Sequence, residues 1–99
     1  MLTGKQRRHL RALAHARQPI VQVGKGGLDD SVVAAVDRAL ADHELVKVRI
    51  GNGAEVDRHA AAGELAERTK SEVAQVLGNV VLLFRANAED SKIELPRGR

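Results

Sequence analysis

Cysteine is absent from the sequence, and with it go disulfides and thiolate metal sites. Such a composition suits a reducing compartment. Tryptophan and tyrosine are absent too, and Phe84 is the single aromatic ring of the Phe/Tyr/Trp class. Long apolar runs are missing: the longest, 80–84, has five residues, far short of a membrane span. The N-terminus has no apolar core of a signal peptide, being threaded with Lys5, Arg7, Arg8 and Arg11. It also lacks the serines of an organelle transit sequence. The composition therefore predicts a cytoplasmic protein without a membrane partner. Acidic residues are missing from residues 1–27, which hold six Lys/Arg and no Asp or Glu, while the rest of the chain carries a charge of −3. One quarter of the chain thus supplies all the positive excess, which points to a polyanionic partner on one face. A plain solvated helix face is the competing reading.

What is present is the balance of an ordinary globular domain, 43% hydrophobic and 29% charged over 99 residues. No repeat, low-complexity stretch or linker divides it. The reading is one domain over 1–99, with 87–99 a less ordered polar tail that includes a brief extended segment at Lys92-Ile93-Glu94-Leu95. Thr3 followed by Gln6 has the spacing of a capping box and predicts a helix over 4–16. Leu2, Leu10, Leu13 and Ala14 fall on one face of it, and Arg7, Arg8, Arg11 and His15 on another. Pro19 requires the helix to stop before it. Residues 20–23 are β-branched apart from Gln22 and bounded by Pro and Gly, as a short strand is.

A second helix is predicted up to His43, capped by Asp29, Asp30 or Ser31, with Val32, Val33, Val36, Ala39 and Leu40 as its buried stripe. Residues 45–50 read as a strand and Gly51-Asn52-Gly53 as a turn. A third helix is expected over 56–70, with a weak apolar face of Ala61, Ala62, Leu65 and Ala66. Strands at 72–77 and 80–86 would join at Gly78-Asn79 as a tight hairpin. The order α-β-α-β-α-β-β predicts an α/β fold: a single compact domain whose mixed four-stranded sheet is packed by helices in two or three layers. The Val- and Leu-rich strands suggest a sheet largely covered by helices, with function at loops and edges.

The most informative motif is Gly24-Lys25-Gly26-Gly27, a G-x-x-G loop between a strand and a helix. Its glycines allow positive φ and the close approach of another molecule's backbone. The helix after it offers unpaired N–H groups and a positive dipole end, which together make an anion cradle. Lys25 adds a mobile charge. K-homology domains clamp nucleic-acid backbone with a comparable loop. A tight turn without function is the alternative, and the loop lacks the glycine spacing of nucleotide-binding motifs. Without exposed aromatics, recognition would use backbone and shape, with base contacts from Arg or backbone groups. Phe84 sits in a strand of Val and Leu and reads as core.

Catalysis finds no support. His9 and His15 lie on different faces of the first helix, His43 ends the second, and His59 stands alone, so no metal set is expected. None of the five Ser/Thr hydroxyls has a His/Asp setting for nucleophilic attack. Asp29 and Asp30 are better explained as caps than as a catalytic pair. The chain is read as no enzyme and as needing no cofactor.

Four stretches taken together resemble the CRM domain family, and within it the stand-alone bacterial YhbY-like proteins. They are the basic opening helix ending Leu13-Ala14-His15; the loop Val23-Gly24-Lys25-Gly26-Gly27-Leu28; the strand His43-Glu44-Leu45-Val46-Lys47-Val48-Arg49-Ile50; and Gly78-Asn79-Val80-Val81-Leu82-Leu83-Phe84-Arg85 with Lys92-Ile93-Glu94-Leu95-Pro96. The resemblance covers almost the whole chain. It implies a fold similar to the C-terminal domain of translation initiation factor 3, and an association with precursors of the large ribosomal subunit. It maps the family's RNA-contacting loop onto Gly24, Lys25, Gly26 and Gly27, and its basic helix onto Lys5, Arg7, Arg8 and Arg11. Phe84 departs from the pattern, standing where a Tyr is expected, and removes a hydroxyl that could touch a base. The expectation is an RNA-binding protein of ribosome assembly whose partner is large-subunit ribosomal RNA or its precursor particle. The alternative is an adaptor that docks on a protein through the acidic second helix (Asp29, Asp30, Asp37, Asp42) without touching RNA.

Overall fold

The computed structural model describes residues 2–51, 57–87, 89 and 91–96. Its elements are α1 (Gly4–Ala14), β1 (Val21–Val23), α2 (Asp30–His43), β2 (Leu45–Ile50), α3 (Arg58–Thr69), β3 (Glu72–Leu77) and β4 (Val80–Phe84). The four strands form one sheet in the order β1-β2-β4-β3, with β1 parallel to β2 and the other pairs antiparallel. The expected single α/β domain around a mixed sheet is what the chain forms.

Local chemistry accounts for the element ends. Thr3 and Gln6 make the reciprocal capping box at α1. Asp29 caps α2 by accepting the Val32 N–H at 2.9 Å, and Asp57 caps α3 through the Ala60 N–H at 3.0 Å. The α3 helix closes on Lys70 in the left-handed conformation, and Gly78 takes a φ of 57° in the β3–β4 turn. α1 is two residues shorter than expected, because His15 caps it and Arg17 N–H turns back to the Ala14 carbonyl. α3 begins at Arg58. The expected start at Val56 lies outside the described residues, as does the turn expected at Gly51-Asn52-Gly53 beyond Gly51.

Strand alternation sends side chains to two cores. Val46, Val48, Ile50, Val81 and Leu83 pack on one face under Val36, Leu40, Ala61 and Leu65 of α2 and α3. Leu45, Ala74, Leu82 and Phe84 pack on the other against Leu2, Leu10 and Ala14 of the α1 region and against Ile93. The domain is therefore three-layered: α2 and α3, then the sheet, then α1 with the 91–96 segment. A register irregularity in β3 between Val73 and Gln75 inserts Ala74 into the α1-side core. Leu13, placed by periodicity on the buried face, is 38% exposed. It sits on the flank of α1, where the 91–96 segment covers it only partly.

The segment 91–96 is held by two side chains, Glu44 and Gln6. Glu44, 1% exposed, ends α2 with a φ of 64° and accepts backbone N–H groups of Asn87, Lys92 and Ile93. Gln6 then donates to the Pro96 carbonyl at 3.1 Å, laying the segment along α1. Because α1 and this segment cover only the Leu45 end of the sheet, the other end of that face is open. Gln22, Arg49 and Leu77 are exposed there, Leu77 by 67%. The sheet is thus less covered than its Val- and Leu-rich strands suggest.

Candidate nucleic-acid interface

The glycine loop leaves β1 and turns tightly into α2, with the Gly27 N–H on the Gly24 carbonyl at 3.0 Å. Gly27 takes a φ of 67°, a conformation that a side chain disfavours. Gly24 differs: a Cβ there would meet nothing within 4 Å and its φ is ordinary. The fold does not require glycine at that position, and the bare backbone is open to a second molecule. Gly24, Lys25 and Gly26 are all exposed.

The anion cradle expected at the start of α2 is already filled. Asp29 accepts from Val32 N–H and from the Ser31 hydroxyl at 2.8 Å, so the protein's own carboxylate occupies the helix N-terminus. These bonds, the Val32 N–H foremost, hold the Asp29 carboxyl below its ordinary range. An incoming phosphate must instead use Lys25 and the loop backbone.

Lys5, Arg7, Arg8 and Arg11 are exposed on α1, as predicted from the sequence. At 100° per residue, Arg7 and Arg11 lie on one flank of the buried Leu10–Ala14 line and His9 and Leu13 on the other. The His9–Leu13 flank borders Lys92, Ile93 and Leu95. The Arg7–Arg11 flank therefore faces the open half of the sheet, on the side where the glycine loop lies. The loop and α1 do not pack together. The loop stands at the far end of β1, and α1 crosses β2 and β3.

The gap between them is bridged by residues that the sequence reading did not select. Arg49 is exposed on β2 opposite Gln22 of β1, and Lys47 lies on the same face. Lys47 Nζ donates to the Arg17 carbonyl at 2.9 Å, and Arg17 Nη1 to the Leu45 carbonyl at 3.1 Å, which pins the α1–β1 connection. The alternation Val46-Lys47-Val48-Arg49-Ile50 was the available signal, since two cations alternate with buried residues. At the end of this strip Gly51 donates to the Val23 carbonyl at 2.8 Å, and a Cβ at Gly51 would come within 2.9 Å of that oxygen.

Charge is partitioned across the molecule. On the α2–α3 side, Arg68 meets Asp30 at 3.1 Å and Glu64 at 3.4 Å, and Arg85 meets Asp37 at 2.6 Å. Among the described residues, Lys5, Arg7, Arg8, Arg11, Lys25 and Arg49 enter no ion pair. Phe84 is buried, 4% exposed, and offers no stacking surface. Among the described residues no His/Asp/Glu cluster could hold a metal ion, and no helix is long and apolar enough to cross a membrane.

Known proteins are similar along nearly the whole chain. It is 42% identical over 97% of its length to the whole of "Probable RNA-binding protein YqeI" of Bacillus subtilis. It is 34% identical over 97% of its length to 96% of a Haemophilus influenzae protein named "RNA-binding protein". A solution structure of a Staphylococcus aureus protein is similar at a TM-score of 0.82 and 43% identity, covering 97% of this chain and 100% of that one. The model of the CRS1 / YhbY (CRM) domain matches residues 2–85, and the chain belongs to that family.

Proposed function

We propose that this protein binds RNA backbone along the strip running from Gly24, Lys25, Gly26 and Gly27 past Arg49 and Lys47 to Arg7, Arg11, Arg8 and Lys5 of α1, and that it serves assembly of the large ribosomal subunit. The observation that carries the reading is the charge partition. The cations of this strip enter no ion pair among the described residues, whereas on the opposite side Arg68 and Arg85 take up Asp30, Glu64 and Asp37. Unpaired cations on a rigid sheet and helix suit a partner whose charge is regular and continuous. Relatives named for RNA binding point the same way, and the assembly role follows what the family resemblance implies. The reading is one of binding, with no catalytic step assigned to any residue.

The adaptor alternative is weakened by the use of its acids, since Asp30 and Asp37 are engaged by Arg68 and Arg85 and Asp29 by its own helix. Sedimentation of ribosomal particles tests the assembly role. Wild-type protein should travel with large-subunit precursors, and Lys25→Glu should leave them. Loss on charge reversal at Asp30, with Lys25→Glu still bound, would favour the adaptor.

A further inference from the structure

At the start of β1, the opposite end from the glycine loop, lies a cavity of about 410 Å³. That volume is within the range of small-ligand sites, about 300–1,000 Å³. Its floor is aliphatic, built from Leu45 and Leu82 of the sheet and Ile93 of the C-terminal segment. Ile20 forms one lip and is 52% exposed, an apolar side chain that the core does not use. Arg17, Lys47 and Lys92 surround it with positive charge. Gln18, Asp42 and His43 complete the wall.

Three features define what fits. An unstacked base needs a planar surface, and with Phe84 buried the exposed His43 ring and Arg17 guanidinium supply it here. The cations suit a phosphate. Asp42 is the one carboxylate among the described lining residues, and unlike Asp30 and Asp37 on the same helix it enters no ion pair among them. A carboxylate is an acceptor with two oxygens. Guanine alone among the four bases sets two adjacent N–H donors, N1 and N2, against it. Uracil would turn carbonyl oxygens toward the same charge, and adenine offers a single amino group.

We propose that this cavity receives one unstacked guanine nucleotide of a bound RNA. Asp42 accepts from its N1 and N2, His43 and Arg17 flank the ring, and Lys47 and Lys92 meet the phosphate. The inference rests on the RNA-binding reading above. The route is short: Ile20 and Gly24 are ~13 Å apart along β1 at about 3.3 Å per residue. A shallower depression lined by Ile20, Gln22 and Arg49 connects the cavity's lip to the cationic strip.

The test is fluorescence anisotropy with four labelled RNA hairpins that differ only in one bulged nucleotide, guanosine, inosine, adenosine or uridine. Wild type and Asp42→Asn are compared across a salt series, with thermal melts confirming that the exposed substitution leaves the fold intact. The guanosine bulge should bind wild type roughly tenfold tighter than the inosine or uridine bulge. Asp42→Asn should remove that preference and leave the salt dependence in place. Equal, salt-steep binding of all four hairpins overturns the guanine site and leaves the backbone reading standing, as does a preference that survives Asp42→Asn. No salt-dependent binding of any hairpin overturns both.

Discussion

Glu44 accepts the Ile93 N–H at 3.0 Å across 49 residues of sequence, and so one buried carboxylate fastens the end of the chain to the end of α2. Burial pushes this carboxyl up, but the N–H groups of Asn87 and Lys92, the Ser91 side chain and the Ile93 N–H outweigh it, and the net displacement is downward. A carboxyl whose folded value lies below its unfolded one stabilises the fold above the ordinary Glu range, near 4.3, and loses that contribution as pH falls through the folded value. Thermal melts should thus show a midpoint that drops below about pH 4.5 in wild type and a shallower drop in Glu44→Gln. At neutral pH, Glu44→Ala strands buried N–H groups and should cost about 2–3 kcal/mol. A midpoint unchanged by Glu44→Ala would remove this anchor from the account.

The glycines should separate by role. Gly51→Ala drives a methyl into the Val23 carbonyl and should destabilise by about 1–3 kcal/mol. Gly27→Ala places a side chain at a φ of 67° and should cost about 1 kcal/mol. Gly24→Ala meets nothing and should leave stability within about 0.5 kcal/mol, yet weaken RNA binding if the ligand backbone rests on that residue. Urea titration of the three variants beside their RNA affinities gives the comparison.

Phe84 should behave as core. Phe84→Ala should lose about 3–4 kcal/mol. Phe84→Tyr, the residue that the family resemblance leads one to expect here, should leave RNA affinity within twofold, because the ring lies under α1 rather than on the surface. A large gain in affinity with Tyr would mean that the hydroxyl reaches the ligand.

Much of the fold was legible because periodicity and caps agree. Leu45–Ile50 has the bounds its alternation predicts, Glu72–Leu77 ends at the turn expected at Gly78-Asn79, and Thr3 with Gln6 marks the start of α1. The site was less legible, for three reasons. Alternation shows that Lys47 and Arg49 share a face but not that α1 leaves part of that face bare. A helix N-terminus reads as a free anion site until Asp29 is seen to fill it. The contribution of Ile93 to the α1-side core depends on Glu44, a contact between residues far apart in sequence.

The central claim is that RNA backbone follows the strip from Lys25 past Arg49 to α1. Its most direct test is the anisotropy of a labelled large-subunit ribosomal RNA fragment, titrated over a salt series with wild type, Lys25→Glu and Arg49→Glu. With four to six phosphates neutralised on single-stranded RNA, log affinity should fall against log salt with a slope of about −3 to −4, and each variant should weaken binding and flatten that slope by roughly 1. A flat wild-type response, or affinities that neither reversal alters, would contradict it.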